Sequence, residues 1–522
     1  MRIGVIFLIL GMSLSGYSQS DSTKKTTEIE LLHADKFTRD PSTPEGASKL
    51  IGEVRFKHQE ALMFCDSAYL YENNSLDAYG NVRIVEGDSL NIKGDSLFYE
   101  GNERLAKFRG DVVIDNKSSV LKTPFLDYFR DRNVAHYYGG GEIHSRQENI
   151  QLWSKIGHYF SDAKIFHFKG DVKMKHPDYT IDTDTMHYAP EREKTWFFGP
   201  TDIVFDSKEI YCEYGWFDQL QDQAVFIKNA QINSSGQIMI GDTIEYDEKN
   251  KIGIGRCNVT IVDTNEKVEI SGDYAHYFEQ DSSSYITDQV MMKQDMDGDT
   301  LFLSADTLYS IRDSAGKRMI KAFHHTKFFK SDMQGKCDSL VYRSEDSVMY
   351  MYRNPILWSD QNQLTADSIR MTMKDGTIDK MYMDVNAFII SREDSQYFNQ
   401  IKGRNMIGYF KETDLHKVDV YGNGETIYYP REEDETLIGV NETKCARMTI
   451  KIDSNEMNEI TFFENPVAKL TPSDDMKEGG IILEDFLWRY AERPESPDQV
   501  FYSPEEVQLP AEASVEEVKE ED

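Results

Sequence analysis

Residues 76–113 read LDAYGNVRIVEGDSLNIKGDSLFYEGNERLAKFRGDVV. After Gly80-Asn81, Val82 and Ile84 alternate with Arg83; Gly87-Asp88 marks a turn, and Leu90 and Ile92 start a second apolar face. At Gly94-Asp95 the alternation slips by one residue. Leu97 and Tyr99 carry it on to Gly101-Asn102, and Gly110-Asp111-Val112 begins the pattern again. Period-two alternation between Gly, Asn and Asp clusters is the pattern of strand, turn and strand. A phase slip at a small residue before Asp predicts a bulge that returns both halves of the strand to one interior. Asp and Ser there can bond the backbone groups that the kink frees.

The restart recurs at Gly52-Glu53-Val54, Gly170-Asp171-Val172 and, degenerately, Gly141-Glu142-Ile143. Looser copies stand at Asp202-Ile203, Ala230-Gln231-Ile232, Cys257-Asn258-Val259, Asp288-Gln289-Val290, His325, Asn354-Pro355-Ile356, Asn386-Ala387-Phe388, Gly422-Asn423-Gly424 and Asn465-Pro466-Val467. That makes about fourteen units of roughly thirty residues, a period typical of stacked repeats. The second strand of each has the form apolar-x-small-Asp-x-apolar-x-Tyr, as in residues 92–99, 181–188 (IDTDTMHY), 239–246 (MIGDTIEY) and 270–277 (ISGDYAHY). No helical period of useful length appears, and no linker interrupts residues 33–490. The expected fold is therefore all-β and elongated. Two strand passes per unit would stack to roughly 130 Å at ~4.8 Å per strand.

Composition agrees. Tyr (29) and Phe (28) dominate the aromatics and Pro is scarce (14), as suits strands joined by short turns. The net charge of −33 argues against nucleic acid and anionic lipid surfaces as partners, since binding there rests on phosphate neutralisation. Residues 1–18 read as an export signal, with Arg2 before a short apolar run; the alternative is an uncleaved anchor. Residues 19–32 form a polar leader, and the prolines and acidic run of residues 491–522 read as a disordered tail.

Cys65, Cys212, Cys337 and Cys445 align with Gly94 in the repeat, and Cys257 with the Gly of the restart turn. All five occupy slots for small residues, which favours reduced, buried thiols over a disulfide framework. Asp295, Asp297 and Asp299 resemble a calcium loop but lack its Gly and Glu spacing, so a hairpin turn is the better reading. His324 and His325 are adjacent on a strand and should point to opposite faces. His136, His144, His158, His167, His176 and His187 follow no ligand spacing. The Asp-Ser and Asp-Thr pairs are periodic, whereas a catalytic group is normally singular. The sequence calls for no enzyme, metal or cofactor.

The G-[DN]-V restarts and the small-Asp-x-apolar-x-Tyr strands resemble the OstA/LptA family of lipopolysaccharide-transport proteins, most clearly over residues 33–190, with residues 191–490 as a continuation. The resemblance implies an open β-jellyroll, a trough that carries acyl chains, a periplasmic location and end-to-end joining of jellyrolls; downstream of residue 190 the pattern shows no outward apolar band with aromatic girdles, which argues against an outer-membrane barrel. On that reading Val82, Ile84, Leu90, Ile92, Leu97, Tyr99, Val112, Ile114, Ile244 and Tyr246 line the trough. From the residues alone they serve equally to fill a closed core. The expected partners are lipopolysaccharide or a related amphiphile, other jellyroll transport proteins and an outer-membrane assembly protein. The edge strands expected to pair with them lie near residues 50–57 and 481–490, the latter carrying Ile481, Leu483, Phe486 and Trp488. The alternative is an extended scaffold that joins envelope proteins and carries no lipid.

Overall fold

The computed structural model describes residues 28–501, apart from 40–42, 45, 59–60, 87–89, 117–118, 147–148, 297, 313–315, 375–376, 412–413, 433–435, 454–455 and 477–478. The export signal and residues 502–522 of the tail lie outside the described residues. The fold is all-β: a succession of antiparallel hairpins in two compact units, Met1–Lys251 and Ile252–Asp522.

In the first unit most long strands pair with the next, as Ser75–Glu86 does with Leu90–Glu100 and Leu105–Asn116 with Ser119–Phe129, while the short strands between residues 134 and 160 split one hairpin, Val134–Tyr138 pairing with Ile156–Phe160 and Gly141–Ser145 with Gln151–Ser154. Residue 190 marks no break, because Tyr179–Ala189 pairs with Lys194–Phe205. The second unit repeats the scheme from Ile252–Asp263 to Val467–Pro472. Among the described residues the only helical pieces are 3-10 turns.

The phase slip seen in the sequence is a two-against-one bulge. Tyr79 pairs with Ser96 and Val82 with Gly94, so Gly80 and Asn81 together face Asp95. Both bulge residues are left-handed, with φ of +74° and +45°. Asp66 of the preceding strand closes over them: a Cβ on Gly80 would strike its carboxylate, and Asn81 donates to it at 2.8 Å. The bulge keeps Ala78 and Val82 facing inward on one strand, and Ile92 and Leu97 on its partner, and all four are buried. Further along, the glycine is replaced while the geometry stays. Lys228-Asn229, Cys257-Asn258, Asp288-Gln289, His324-His325, Arg353-Asn354 and Val385-Asn386 are left-handed pairs too. The carboxylate partner persists, with Asn229 on Glu213 at 2.7 Å and Asn386 on Asp367 at 3.0 Å.

This geometry corrects two expectations. His324 and His325 do not alternate across a strand, because both sit in one bulge. Both are exposed, and they bond different carboxylates, Asp338 at 3.2 Å and Asp306 at 2.9 Å. Cys257 is exposed, since the bulge turns it outward, whereas Cys65, Cys212, Cys337 and Cys445 are buried; all five are free thiols.

The ends are also corrected. Residues 50–57 are not an edge, because Ala47–His58 is covered by Glu30–His33 and Lys36–Thr38. The first of these begins inside the stretch read as a leader. At the other end Gly439–Asp453 pairs on one side with Asp414–Tyr428 and on the other with Glu456–Phe463 and Val467–Pro472. Val467 and Leu470 are 72% and 54% exposed there.

Residues 481–490 form no strand. They are a strap, and Ile481, Leu483, Phe486 and Trp488 belong to it rather than to an edge. Gly479, Gly480 and Asp485 take φ of +88°, +71° and +69°, which a β ladder does not continue through. Remote side chains satisfy the strap backbone instead. Gln400 donates to the Ile481 carbonyl at 2.9 Å and accepts from the Leu483 amide at 2.8 Å. Gln363 donates to Leu487 O at 2.8 Å and accepts from Arg489 N at 2.7 Å. Gln334 accepts from Arg493 Nε at 2.6 Å. These buried glutamines stand in one cross-strand row, Gln334, Trp358, Gln363, Ile390, Gln400. Phe486 and Trp488 pack on Phe398, with ring centroids 5.4 and 5.1 Å away. Residues 491–501, read as disordered, continue the strap. The turn Pro497–Val500 packs on Thr300–Arg312 and Arg318–Lys330 and buries Val500 completely.

Candidate functional site

The inward residues of successive strands make the interior of each unit, and spaces remain there. In the first unit one cavity of about 100 Å³, open to solvent at its mouth, is lined by Phe56, Ile84, Ile92, Tyr99, Ile114 and Leu126, among others. A second of about 60 Å³ is lined by Met174, Ile181, Met186, Phe197, Phe226 and Tyr246. The second unit holds one of about 50 Å³ among Leu301, Met333, Met349, Leu357, Leu364 and Leu415. Apolar walls of this kind favour hydrocarbon by ~25 cal/mol per Å² removed from water.

The residues singled out in the sequence fall as follows. Val82, Ile92, Leu97, Tyr99, Val112, Ile114, Ile244 and Tyr246 are buried, Ile84 is half-buried, and Arg83 is exposed. The side chain of Leu90 lies outside the described residues. Ile84, Ile92, Tyr99 and Ile114 meet at the first cavity and Tyr246 at the second, while Val82, Leu97, Val112 and Ile244 are buried without lining either.

Between the strands that line these two cavities, aromatics fill the interior. The Tyr137 ring lies where a Cβ on Gly141 or Gly157 would be, and its hydroxyl meets Ser154 Oγ at 2.6 Å. Burial pushes the Tyr137 phenol up to about 12. Tyr159 stacks on Phe166 at 4.3 Å, and Phe166 on Phe168 at 5.8 Å.

A few polar groups reach the interior. Tyr99 Oη lies 3.3 Å from His58 Nδ1, and both touch the first cavity along with Arg130. At the second, the side chain of Lys208, 8% exposed, donates to Tyr246 Oη at 3.0 Å, with Glu248 at 3.4 Å. Its ammonium also stands 4.4 Å from the Tyr246 ring centre. Each cavity thus combines apolar walls with a few polar groups.

The acidic loop at residues 295–299 joins two strands of a hairpin; Met296 donates to Asp299 O at 2.8 Å and Asp299 accepts from the Thr300 amide. Asp297 lies outside the described residues. Two features escaped the sequence reading. The glutamine row needed cross-strand register to be seen. A row of four histidines had a visible signal: each stands just before a repeat aromatic, as in HY, HY, HF and HY at 136, 158, 167 and 187.

Bulged antiparallel hairpins around an apolar interior, present in each of the two units, make a repeat-built β-jellyroll. Residues 26–184 match the family described as OstA-like protein, and residues 269–377 match LptA/(LptD N-terminal domain) LPS transport protein. Over these two segments the chain is OstA/LptA-like. No curated protein matches it significantly. Among solved structures it is similar to LptH, the LptA homologous periplasmic component of the lipopolysaccharide transport device from Pseudomonas aeruginosa. Identity is 18%, over 32% of this chain and 81% of LptH, with a TM-score of 0.10.

Proposed function

We propose that the protein is a periplasmic, non-enzymatic carrier or bridge for lipopolysaccharide on its way to the outer membrane, holding acyl chains in the apolar interiors of its two units. The observation that carries this reading is the pair of apolar cavities in the first unit, walled by the inward residues of successive repeats. At ~0.8 kcal/mol per buried methylene, a dozen methylenes retain a chain firmly. The family matches support the transport role. Among the described residues no helix is long and apolar enough to cross a membrane.

Partners of the same fold, or an outer-membrane assembly protein, would join at Glu30–His33 with Lys36–Thr38 and at Val467–Pro472, where backbone groups can extend the ladder. A photo-crosslinking residue at Ile84 should capture lipid in cells and one at Arg83 should not. Equal capture at the two positions, or purified protein free of lipid by mass spectrometry, would favour a scaffold that carries no lipid.

A further inference from the structure

The bulge divides each long strand into two halves. In the first unit, residues 54–58, 82–86 and 90–94 lie to one side of the bulges, and residues 75–79, 96–100 and 105–109 to the other. Both sets line the first cavity, with Phe56, Ile84 and Ile92 from one and Leu76, Tyr99 and Phe108 from the other. The halves therefore face each other across it, joined along one border by the bulges. Along the opposite border lie the strand ends, and there polar side chains reach from one half to the other.

His58 is the last residue of its strand and Tyr99 the last but one of another. Tyr99 Oη stands 3.3 Å from His58 Nδ1, and the rings meet edge to face with centroids 5.8 Å apart. Lys208 is the first residue of its strand and Tyr246 the last but one of another; the ammonium donates to Tyr246 Oη at 3.0 Å, with Glu248 at 3.4 Å. Register sets these two on opposite halves, because Lys208 is opposite Ser234 and Tyr246 opposite Ala224, which flank the Lys228-Asn229 bulge. In the second unit Asp263, at the end of Ile252–Asp263, accepts from Arg318, at the start of Arg318–Lys330, and both are buried. Asp263 follows the bulge of its strand and Arg318 precedes that of its own. The partners are 41, 38 and 55 residues apart, so no pair is held by its own hairpin.

We propose that these pairs are latches. The interior of each unit opens sideways between the strand ends, hinged at the bulges, where strands already bend, and the latch across each opening sets how often it does so. A side-chain bond across the interior can open without breaking any backbone ladder. His58 with Tyr99 closes the first cavity, which both residues line; Lys208 with Tyr246 and Glu248 closes the second, which the last two line. The first latch joins a phenol to an imidazole. Arg318 with Asp263 is a buried ion pair, whose rupture would leave buried charge uncompensated, so the second unit is held the more firmly. This goes beyond the reading of the protein as a lipid carrier and holds for any cargo.

The test reads the labelling of a cavity thiol in the full-length exported protein, with the exposed Cys257 as internal reference. Ile84→Cys reports on the first cavity and Met186→Cys on the second, and mass spectrometry follows maleimide addition to each. Tyr99→Phe should speed labelling at position 84 about fivefold, the effect of one net hydrogen bond, and leave position 186 unchanged. Tyr246→Phe, and independently Lys208→Met, which keeps the aliphatic stem, should do the reverse. Labelling of Cys257 should stay the same throughout. An equal rise at both positions would show general loosening instead of a latch, and no rise at either would leave the pairs as packing alone; each result overturns the proposal. The readout needs no bound lipid, so finding the protein free of lipid would defeat the carrier reading and leave this one standing.

Discussion

Gln400→Leu should loosen the strap without unfolding the unit beneath it. Gln400 is fully buried and makes three bonds: to Ile481 O at 2.9 Å, to Phe398 O at 3.2 Å, and from Leu483 N at 2.8 Å. Leucine fills similar space but leaves the Ile481 carbonyl and the Leu483 amide without this partner. A buried group stripped of its partner costs ~1–3 kcal/mol. Ile481 is half-buried and its carbonyl is also within 3.4 Å of Tyr429 Oη, so the sum for the strap is ~2–3 kcal/mol. At 1.4 kcal/mol per tenfold, the open population rises roughly 30- to 140-fold. Hydrogen exchange read by mass spectrometry should show that acceleration in peptides spanning residues 481–489. Peptides from Phe398–Lys411, held by ladders on both sides, should be little changed. Unchanged exchange in the strap would refute the role given to Gln400. It would assign the anchoring to Ile481 and Leu483, which pack against the cluster of Ile427, Tyr429 and Val440.

Glu492 gives the strap a pH dependence. Burial works to raise its carboxyl, but hydrogen bonds from Arg489 and Lys336 outweigh it and hold the group at about 2, below an ordinary value of 4.5. The folded value is the lower one, so the contribution is complete above pH 4.5 and is lost as pH falls toward about 2. After discounting for solvent screening it amounts to ~1–2 kcal/mol, and strap proteolysis across that range should show its loss, with Glu492→Gln removing the dependence. A thiol reagent should label Cys257 in the native protein, and Cys65, Cys212, Cys337 and Cys445 only after denaturation; burial pushes the thiols of Cys65, Cys212 and Cys337 up to about 12. Cys65→Ala and Cys337→Ala should change stability by only about 1 kcal/mol in chemical denaturation, and unfolding on adding a reductant would contradict the free thiols. Val385 is β-branched with φ of +62° and is 42% exposed, so Val385→Gly should stabilise the second unit by about 1 kcal/mol in the same assay. A loss instead would mean that its side chain contributes packing that outweighs the strain.

The sequence by itself determined whatever is local and repeated. Alternation, a small residue before Asp, and a Gly-Asn or Gly-Asp restart specify strand, bulge and strand within some thirty residues, because backbone sterics at the left-handed pair and the nearby carboxylate act over one hairpin. Val82, Ile92 and Leu97 could be assigned to the interior for that reason. At residues 481–490 the same rule failed. The stretch IILEDFLWRY alternates like a strand, yet its amides are taken by Gln400 and Gln363, 83 and 126 residues earlier in the chain. Nothing in the stretch itself records those partners. The histidine row is the intermediate case. Each His stands before a repeat aromatic in plain view, but that His158 faces His167 and His167 faces His187 follows only once every bulge has set its register. Side chains that meet across strands belong to the tertiary structure, since register is a property of pairs of strands and not of either one alone.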